Sequence, residues 1–573
     1  MVQKLDKPKT ETKLRRIHDQ LYESTVESPE NNQLPKFKGL LEIASSKPNI
    51  LTAIHKLKGN KGSATPGTDE ATIRDILEKD FDEVMDTVQS LFRNYKPLKV
   101  RRVYIEKQGK EELRPLGIPA IADRVIQECI RRTIEPILEA QFFKHSYGFR
   151  PMRDAHMALN RITDIVHKTG YHWVVEGDIK GFFDNVNHSI LIKDLWNMGI
   201  RDRRVLCMIK AMLKAGVMNE CHVNDLGTPQ GGIISPLLAN VYLHKFDKWL
   251  TREWECKKFR NHQSSRKSEM KALHSSNLKP YYLVRYADDW VIITNSQENA
   301  EKLKWKCKEY LKNTLKLELS EAKTFITCIR KNPIRFVGFE FKVMKGKARH
   351  GYIVKTEPDR TRLRAKIGEI RKDLKELRRL KRFKQGDGKL KLVHGINLVN
   401  SRIRGVIEYY NVATRVSPSL HKYSHNMRYT AFKALKAYGG KRVPADKLHN
   451  LQSVHKDYKV AIPAIEYKGL FIGITDLCFA RWVKDKTQLK RPKETPYTPE
   501  GRRIYQQRTG NKPVLARADE LISIARSYNV SRPDLQSKRR NKLYNFEFLL
   551  NVPYAFNRDK GRCRVCGEKN INQ

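Results

Sequence analysis

Apolar residues change period along the chain, and each change marks an element. Between 121 and 140, Ile121, Val125, Cys129, Ile130 and Ile134 or Leu138 share one stripe at three- or four-residue spacing, which predicts a helix. Upstream, VRRVYIEKQGKEELRPLGIP (100–119) alternates, breaks at a basic Gly-containing turn and resumes. That pattern predicts a hairpin with Lys107, Lys110 and Arg114 near its tip. HWVVEGDI (172–179) reads as a strand ending at Asp178, and KGFFDNVNH after it supplies a turn and a helix start. YYLVRYA and WVIIT are β-prone runs around Asp288-Asp289, and RFVGFEFKV (335–343) is a further strand. Helical spacing then returns in Leu363, Ile367, Ile370, Leu374, Leu377 and Leu380. The first fifty residues are polar and helical in pattern, and KGNKGSATPGTDE (58–70) predicts a loop feeding a helix. Segment 251–280, rich in Lys and Ser, reads as an exposed insertion. Beyond about 440 the pattern turns irregular, and KDKTQLKRPKETPYTPEGRR (484–503) is the most linker-like stretch.

Charge narrows the class of partner. Lys+Arg 112 against Asp+Glu 63 gives a net +49 spread over the whole chain, which predicts a long, folded nucleic acid contacted at many places. The plainer alternative is a soluble basic surface. Between Lys355 and Lys391 there are 15 Lys/Arg and 6 Asp/Glu. This helix therefore turns one face to a core and the other to phosphates, or to solvent through i,i+4 ion pairs. At 573 residues the chain exceeds what one core supports, so several domains are expected. No stretch approaches the ~20 apolar residues of a membrane helix. The opening MVQKLDKPKTETKLRR lacks the apolar core of a secretory signal, so an intracellular protein with no membrane partner is expected. Seven cysteines (Cys129, Cys207, Cys221, Cys256, Cys307, Cys328, Cys478) follow no pairing pattern and read as reduced core thiols. Cys563 and Cys566 form a C-x-x-C.

Two adjacent carboxylates in an apolar run need a physical reason. Neighbouring side chains on a strand point to opposite faces, so Asp288 and Asp289 are assigned to a hairpin turn between YYLVRYA and WVIIT. Clustered carboxylates there are costly unless a cation offsets them. Mg²⁺ suits such a site because it takes a few carboxylates plus water and substrate phosphates. Asp178, at the end of another strand, offers a third acid, and three acids can hold two metals about 3.5–4 Å apart for phosphoryl chemistry. An Asp pair by itself is equally the mark of a plain turn.

The combination resembles one family. Tyr286-Ala287-Asp288-Asp289 is similar to the YxDD signature of reverse transcriptases. VEGDIKGFFDNVNH (175–188), GTPQGGIISPLLANVYLHKFD (227–247), VRYADD (284–289) and FVGFEF (336–341) resemble, in order, the palm blocks of group II intron-encoded reverse transcriptase/maturases. KGSATPGTDE and RPLGIPAIADRVIQ resemble that family's N-terminal block and fingers, and SRIRGVIEYYNVAT (401–414) its thumb or maturase segment.

The resemblance implies an α+β right-hand polymerase with fingers, a palm built on an antiparallel sheet, and a helical thumb, flanked by an N-terminal extension and a C-terminal DNA-binding region. Its divisions would fall at 1–95 (N-terminal extension), 96–345 (fingers and palm), 346–440 (thumb/maturase), 441–545 (DNA-binding) and 546–573 (a truncated HNH-type endonuclease remnant). It implies that Asp178, Asp288 and Asp289 bind two Mg²⁺ ions, with Asp184 outside that triplet as a turn or helix-capping residue. Phe183 would lie under the deoxyribose, Gln230 would position the incoming nucleotide, and Gly231 and Gly232 would let backbone and template approach closely. Lys107 and Arg114 would grip the triphosphate. Phe336, Val337, Gly338 and Phe339 would form the primer grip, and Lys214 and Gly216 fit a block whose chemical role is not derivable from the residues. Cys563 and Cys566 supply only half of a zinc site, since four ligands are normally needed, so second-strand cleavage is not expected.

The implied partners are group II intron RNA, target DNA and dNTPs, with a homodimer among the assemblies allowed, in a bacterial cytoplasm or an organelle. An RNA-binding splicing factor without polymerase activity is the main rival, and degenerate catalytic blocks would favour it. A retron or diversity-generating reverse transcriptase would lack the long region after 345, and a general basic binder would not need the embedded acids.

Replacing several Lys/Arg of the 360–382 helix is expected to weaken RNA binding and flatten its salt dependence, read by filter binding across a salt series. Unchanged affinity and slope would place the RNA surface elsewhere.

Overall fold

The computed structural model describes residues 2–3, 7–28, 35–106, 113–216, 226–227, 231–259, 265–347, 350–379, 388–455, 457–483, 493–509, 545–548 and 550–551. At its centre lies an antiparallel four-stranded sheet in the order Tyr281–Tyr286, Asp289–Thr294, Trp173–Gly177, Phe325–Cys328. Residues 281–285 and 290–294 are buried throughout rather than alternately. The cause is cover from helices Ala155–Thr169, Ser235–Thr251 and Gln297–Tyr310, which pack against the sheet. Val, Ile, Leu, Tyr and Trp therefore dominate these strands, each large side chain contributing about 1.5–3 kcal/mol of transfer free energy when fully buried.

Helix Ile121–Glu139 is the second organising element and is buried along nearly its whole length. Helices Glu11–Val26, Leu40–Ala44, Lys47–Lys58 and Phe81–Arg93 all pack on it. Its polar residues are buried because they have partners. Arg124 donates to the carbonyls of Pro119, Gly62 and Thr65 at 2.8, 3.0 and 2.7 Å. The 58–70 loop is thereby fastened to the helix start, and it feeds helix Ile73–Leu77, capped by Thr72. Gly67 permits this closeness, since a Cβ there would stand 2.5 Å from the Ala120 Cα.

The basic hairpin forms as expected from Arg101–Glu106 and Leu113–Ile118, registered from Arg101↔Ile118 to Glu106↔Leu113. Arg114 sits on its second strand, while Lys107 and Lys110 lie outside the described residues. A smaller sheet, in the order Tyr352–Pro358, Phe339–Lys345, Ile334–Phe336, leads into helices Arg360–Arg379, Gly388–Tyr410 and Val416–Lys436. The first of these buries Leu363, Ile367, Ile370, Leu374 and Leu377, the stripe read from spacing.

The structure departs from the sequence reading in four places. The 251–280 segment is anchored at its start, where Trp254 is fully buried and buried Glu255 pairs with Arg161 at 2.6 Å. After 440 the chain forms a three-stranded antiparallel sheet, Lys441–Pro444, Ala461–Tyr467 and Leu470–Gly473, over its own small core of Val443, Leu448, Ile462 and Phe479. Strands of four to seven residues are too short to leave a legible period. Within the linker-like stretch, residues 493–503 are docked: Tyr497 donates to Glu135 at 2.6 Å and Arg502 pairs with Asp19 at 2.8 Å. Of the cysteines, Cys129 and Cys307 are core thiols, whereas Cys207 and Cys256 are exposed. Cys221, Cys563 and Cys566 fall outside the described residues. Among the described residues no helix is long and apolar enough to cross a membrane.

Candidate active site

The tight turn between edge strand Tyr281–Tyr286 and its neighbour Asp289–Thr294 is made by Ala287 and Asp288, closed by the Tyr286↔Asp289 pair. Only Asp288 is therefore a turn residue; Asp289 begins the return strand, and the expectation that both occupy the turn is corrected. Alternation now does the sorting. Asp289 faces out at the sheet end while Trp290 is buried beneath, lying so close to Gly177 that a Cβ there would stand 2.1 Å from the indole. Gly177 immediately precedes Asp178, so the same contact sets the end of that strand.

Ala287 carries φ +56°, a left-handed conformation that costs a non-glycine residue on the order of 1 kcal/mol or more. The surroundings over-determine it. Arg285, fully buried, donates to the Ala287 carbonyl at 2.7 Å and to Asn240 at 3.0 Å, and holds buried Asp247 through contacts at 2.7 and 2.6 Å. Asn240 in turn donates to the Gly148 carbonyl at 2.9 Å. Gly148 is pressed against the turn, because a Cβ on it would meet the Ala287 nitrogen at 2.2 Å. This frame of Gly148, Asn240, Asp247 and Arg285 was not found from sequence; a lone Arg in an apolar strand was its only signal.

Asp178, Asp288 and Asp289 line one cleft of about 870 Å³ together with Arg114, Phe149, Phe183, Asp184, Gly231, Gly232 and Lys323. Burial and then the neighbouring Asp178 charge push the Asp288 carboxyl up, opposed by Arg114 and Arg285. Asp289, which opens to the cleft yet has protein around most of its carboxylate, is pushed up to about 6 by burial, then by Asp288 and Asp178, against Arg362 and Lys323. Lys323 donates to Asp178 at 3.1 Å. Among the described residues no three His, Cys, Asp or Glu side chains stand together in position to hold a metal ion. Three like charges without an intervening cation repel, and Lys323 already engages one of them.

Of the other residues singled out, Phe183 lies at the cleft edge with Phe182 and exposed Phe149, at ring distances of 5.3 and 6.4 Å. Gly231, at φ +121°, approaches the basic hairpin so closely that a Cβ would stand 2.7 Å from the Gly117 oxygen. Gln230 and Lys107 are outside the described residues. Asp184 occupies a short 3₁₀ turn, and the following helix is capped by Asn187 instead. Phe336 and Phe339 pair across a two-residue turn of Val337 and Gly338, both at positive φ (+43° and +81°), the pattern of a type I′ hairpin. That tip does not line the cleft. Tyr409 clamps it, donating to the Val337 carbonyl at 2.7 Å and stacking on Phe339 at 5.3 Å.

A hairpin bearing two acids, a third acid just past the adjoining strand and part of the basic hairpin thus line one cleft. Residues 105–341 match the family described as reverse transcriptase (RNA-dependent DNA polymerase), so this part of the chain is an RNA-directed DNA polymerase domain. Over 439 residues the chain is 32% identical to the group II intron-encoded protein LtrA of Lactococcus lactis subsp. cremoris, covering 67% of this chain and 72% of that one. It is also 32% identical to protein YkfC of Escherichia coli (strain K12), over 55% of this chain and 85% of that one. A 91 kDa protein in a cob intron of Schizosaccharomyces pombe is 30% identical over 63% of this chain and 49% of its own length. The chain belongs to the group II intron-encoded reverse transcriptase/maturases.

The raised Asp289 carboxyl gives a stability prediction. A folded pKa above the unfolded value of about 3.9 means stability falls as pH rises through the window up to about 6 and stays lowered above it. In metal-free buffer, Asp289→Asn is expected to raise Tm by a few degrees at pH 8 and to leave it nearly unchanged at pH 4, read by differential scanning fluorimetry. Equal shifts at both pH values would contradict the repulsion.

Proposed function

We propose that the four-stranded sheet is the palm of a right-hand polymerase, the basic hairpin and helix Ile121–Glu139 its fingers, and the helices after 360 its thumb. The observation that carries this reading is that Asp178 and the adjacent pair Asp288 and Asp289, far downstream in the chain, line one cleft with Arg114 and Phe183. The donors fit divalent metal by their chemistry, although as they stand the three side chains are not drawn together around one point. Three carboxylates supply hard oxygen ligands, and burial with their mutual repulsion outweighs the opposing cations Arg114, Arg285, Arg362 and Lys323 at Asp288 and Asp289, which marks a deficit of positive charge. Asp178, Asp288 and Asp289 would thus hold two Mg²⁺ ions, which when bound supply Lewis acidity at the primer hydroxyl and charge for the departing pyrophosphate.

The remaining work falls to protein side chains. Arg114, exposed on its strand and facing the acids, binds the triphosphate of the incoming dNTP, a role shared with Lys107. Phe183, braced by Phe182 and Phe149, forms the floor beneath the sugar and excludes a ribose 2′-hydroxyl. Gln230 and the close Gly231 turn position the nucleotide, and the Phe336–Phe339 tip holds the primer end. The basic face of Arg360–Arg379 binds intron RNA during splicing, and the region after 440 contacts target DNA when the intron is copied into it, in a bacterial cytoplasm or an organelle.

Asp288→Ala is expected to reduce Mg²⁺-dependent extension of a DNA primer on an RNA template by at least about 10³-fold. Binding of the intron RNA should stay within about twofold. Extension that survives the substitution would remove the carboxylates from catalysis, and loss of both properties together would contradict separate polymerase and RNA-binding surfaces.

A further inference from the structure

The block MLKAG (212–216), whose role the residues alone leave open, meets the base of the basic hairpin. Helix Arg203–Lys214 ends there, and Gly216 follows in a left-handed conformation, φ +69°. Its carbonyl accepts from the Val100 amide at 3.1 Å, one residue before strand Arg101–Glu106 begins. A Cβ on Gly216 would meet nothing within 4 Å. Glycine is therefore required there by the backbone angle that aims the carbonyl, and not by packing.

The chain leading to that bond is fastened residue by residue. Buried Asp123, on helix Ile121–Glu139, accepts from the Tyr95 hydroxyl at 2.9 Å and from the Leu98 amide at 3.0 Å. The Lys99 carbonyl accepts from the Thr68 hydroxyl at 2.9 Å, and Val100 is itself buried. Beyond Val100 the hairpin rises into the open: Tyr104, Ile105, Leu113 and Arg114 are exposed. Its returning strand reaches cover again at buried Gly117, against which Gly231 is pressed. The hairpin is thus gripped at its base on both strands, by the Gly216 carbonyl on one side and by Gly231 on the other.

Arg114 sits out along this arm. Its cross-strand partner is Ile105, which at about 3.4 Å per residue stands roughly 17 Å beyond Val100. A tilt of about 5° at the base would carry Arg114 about 1.5 Å over that reach, and misplacement by about 1 Å can cost a reacting assembly up to about 10²-fold. Arg114 lines the cleft with Asp178, Asp288 and Asp289, so the angle of the arm decides where its guanidinium meets a ligand held there.

We propose that the Gly216 carbonyl sets the tilt of the basic hairpin and thereby aims Arg114 into the carboxylate cleft. Gly216 is on this account a positioning residue for the incoming nucleotide, acting through Arg114 and touching no substrate. The inference rests on the reading of Arg114 as a triphosphate ligand.

The test measures primer extension on an RNA template, primer–template affinity and melting temperature for wild type, Gly216→Ala, Gly216→Asn, Arg114→Gln and the Gly216→Ala/Arg114→Gln double variant. Alanine tolerates the left-handed angle poorly and asparagine tolerates it better. Gly216→Ala is expected to raise the KM for dNTP about tenfold and to leave primer–template affinity within about twofold, while Gly216→Asn recovers most of the loss. In the Arg114→Gln background Gly216→Ala should raise the KM by no more than about twofold, because the group it aims is already gone. The same factor with and without Arg114, an asparagine variant as impaired as the alanine one, an unchanged KM in Gly216→Ala, or loss of folding in that variant would each overturn the assignment. A wild type that extends no primer, or an Arg114→Gln variant with an unaltered KM for dNTP, would refute the underlying reading of the cleft, a result distinct from any of these.

Discussion

Mutual repulsion among three carboxylates is the constraint around which this fold is arranged. Asp178, Asp288 and Asp289 would separate if their backbones were free, and burial makes the charges of Asp288 and Asp289 more expensive. They stay together because rigid neighbours fix the chain beneath them. Trp290 packed on Gly177 sets the end of one strand against the start of the other. The buried Arg285–Asp247 pair, tied through Asn240 to Gly148, holds the Ala287 turn in a conformation it would not adopt alone. A buried ion pair of this kind is weak evidence of net stability. Its visible consequence is position, since the same guanidinium that binds Asp247 also fastens the turn carbonyl.

The same logic extends outward. The hairpin tip at Val337 and Gly338 is a second strained turn, and it too is held from outside, by Tyr409 and by the amide of Asp359. Both partners belong to the region that follows the small sheet, so the tip is fastened to the helices after 360. On the proposed reading this links the surface that meets RNA to the end of the strand being extended. The third anchor is Tyr497 on Glu135, by which a segment remote in sequence braces the helix that forms the opposite wall of the cleft.

Much of this was legible in the residues. Alternation placed the basic hairpin, β-prone apolar runs placed the central strands, three- and four-residue spacing placed helices Ile121–Glu139 and Arg360–Arg379, and the acids stood out because apolar strands do not otherwise carry them. The turn was misplaced by one residue, because alternation says that Asp288 and Asp289 diverge without saying which of them leaves the ladder. The positioning frame was illegible for a different reason. Asp247 and Asn240 sit on a helix, Gly148 in a loop and Arg285 in a strand, and nothing in their spacing reveals that they converge. The sheet after 440 was missed because its strands are short and carry Pro and Gly, and the docked residues 493–503 because buried Tyr497 and Glu494 are surrounded by residues typical of linkers.

The central claim is that the three acids form one cation site, and Mn²⁺ binding measured by electron paramagnetic resonance tests it most directly. The account predicts that wild-type protein at pH 7.5 takes up Mn²⁺ competitively with Mg²⁺, that affinity weakens as pH falls below about 6 as Asp289 takes up a proton, and that Asp178→Asn, Asp288→Asn or Asp289→Asn each weakens it at least tenfold. Uptake that is unchanged in all three variants would contradict it.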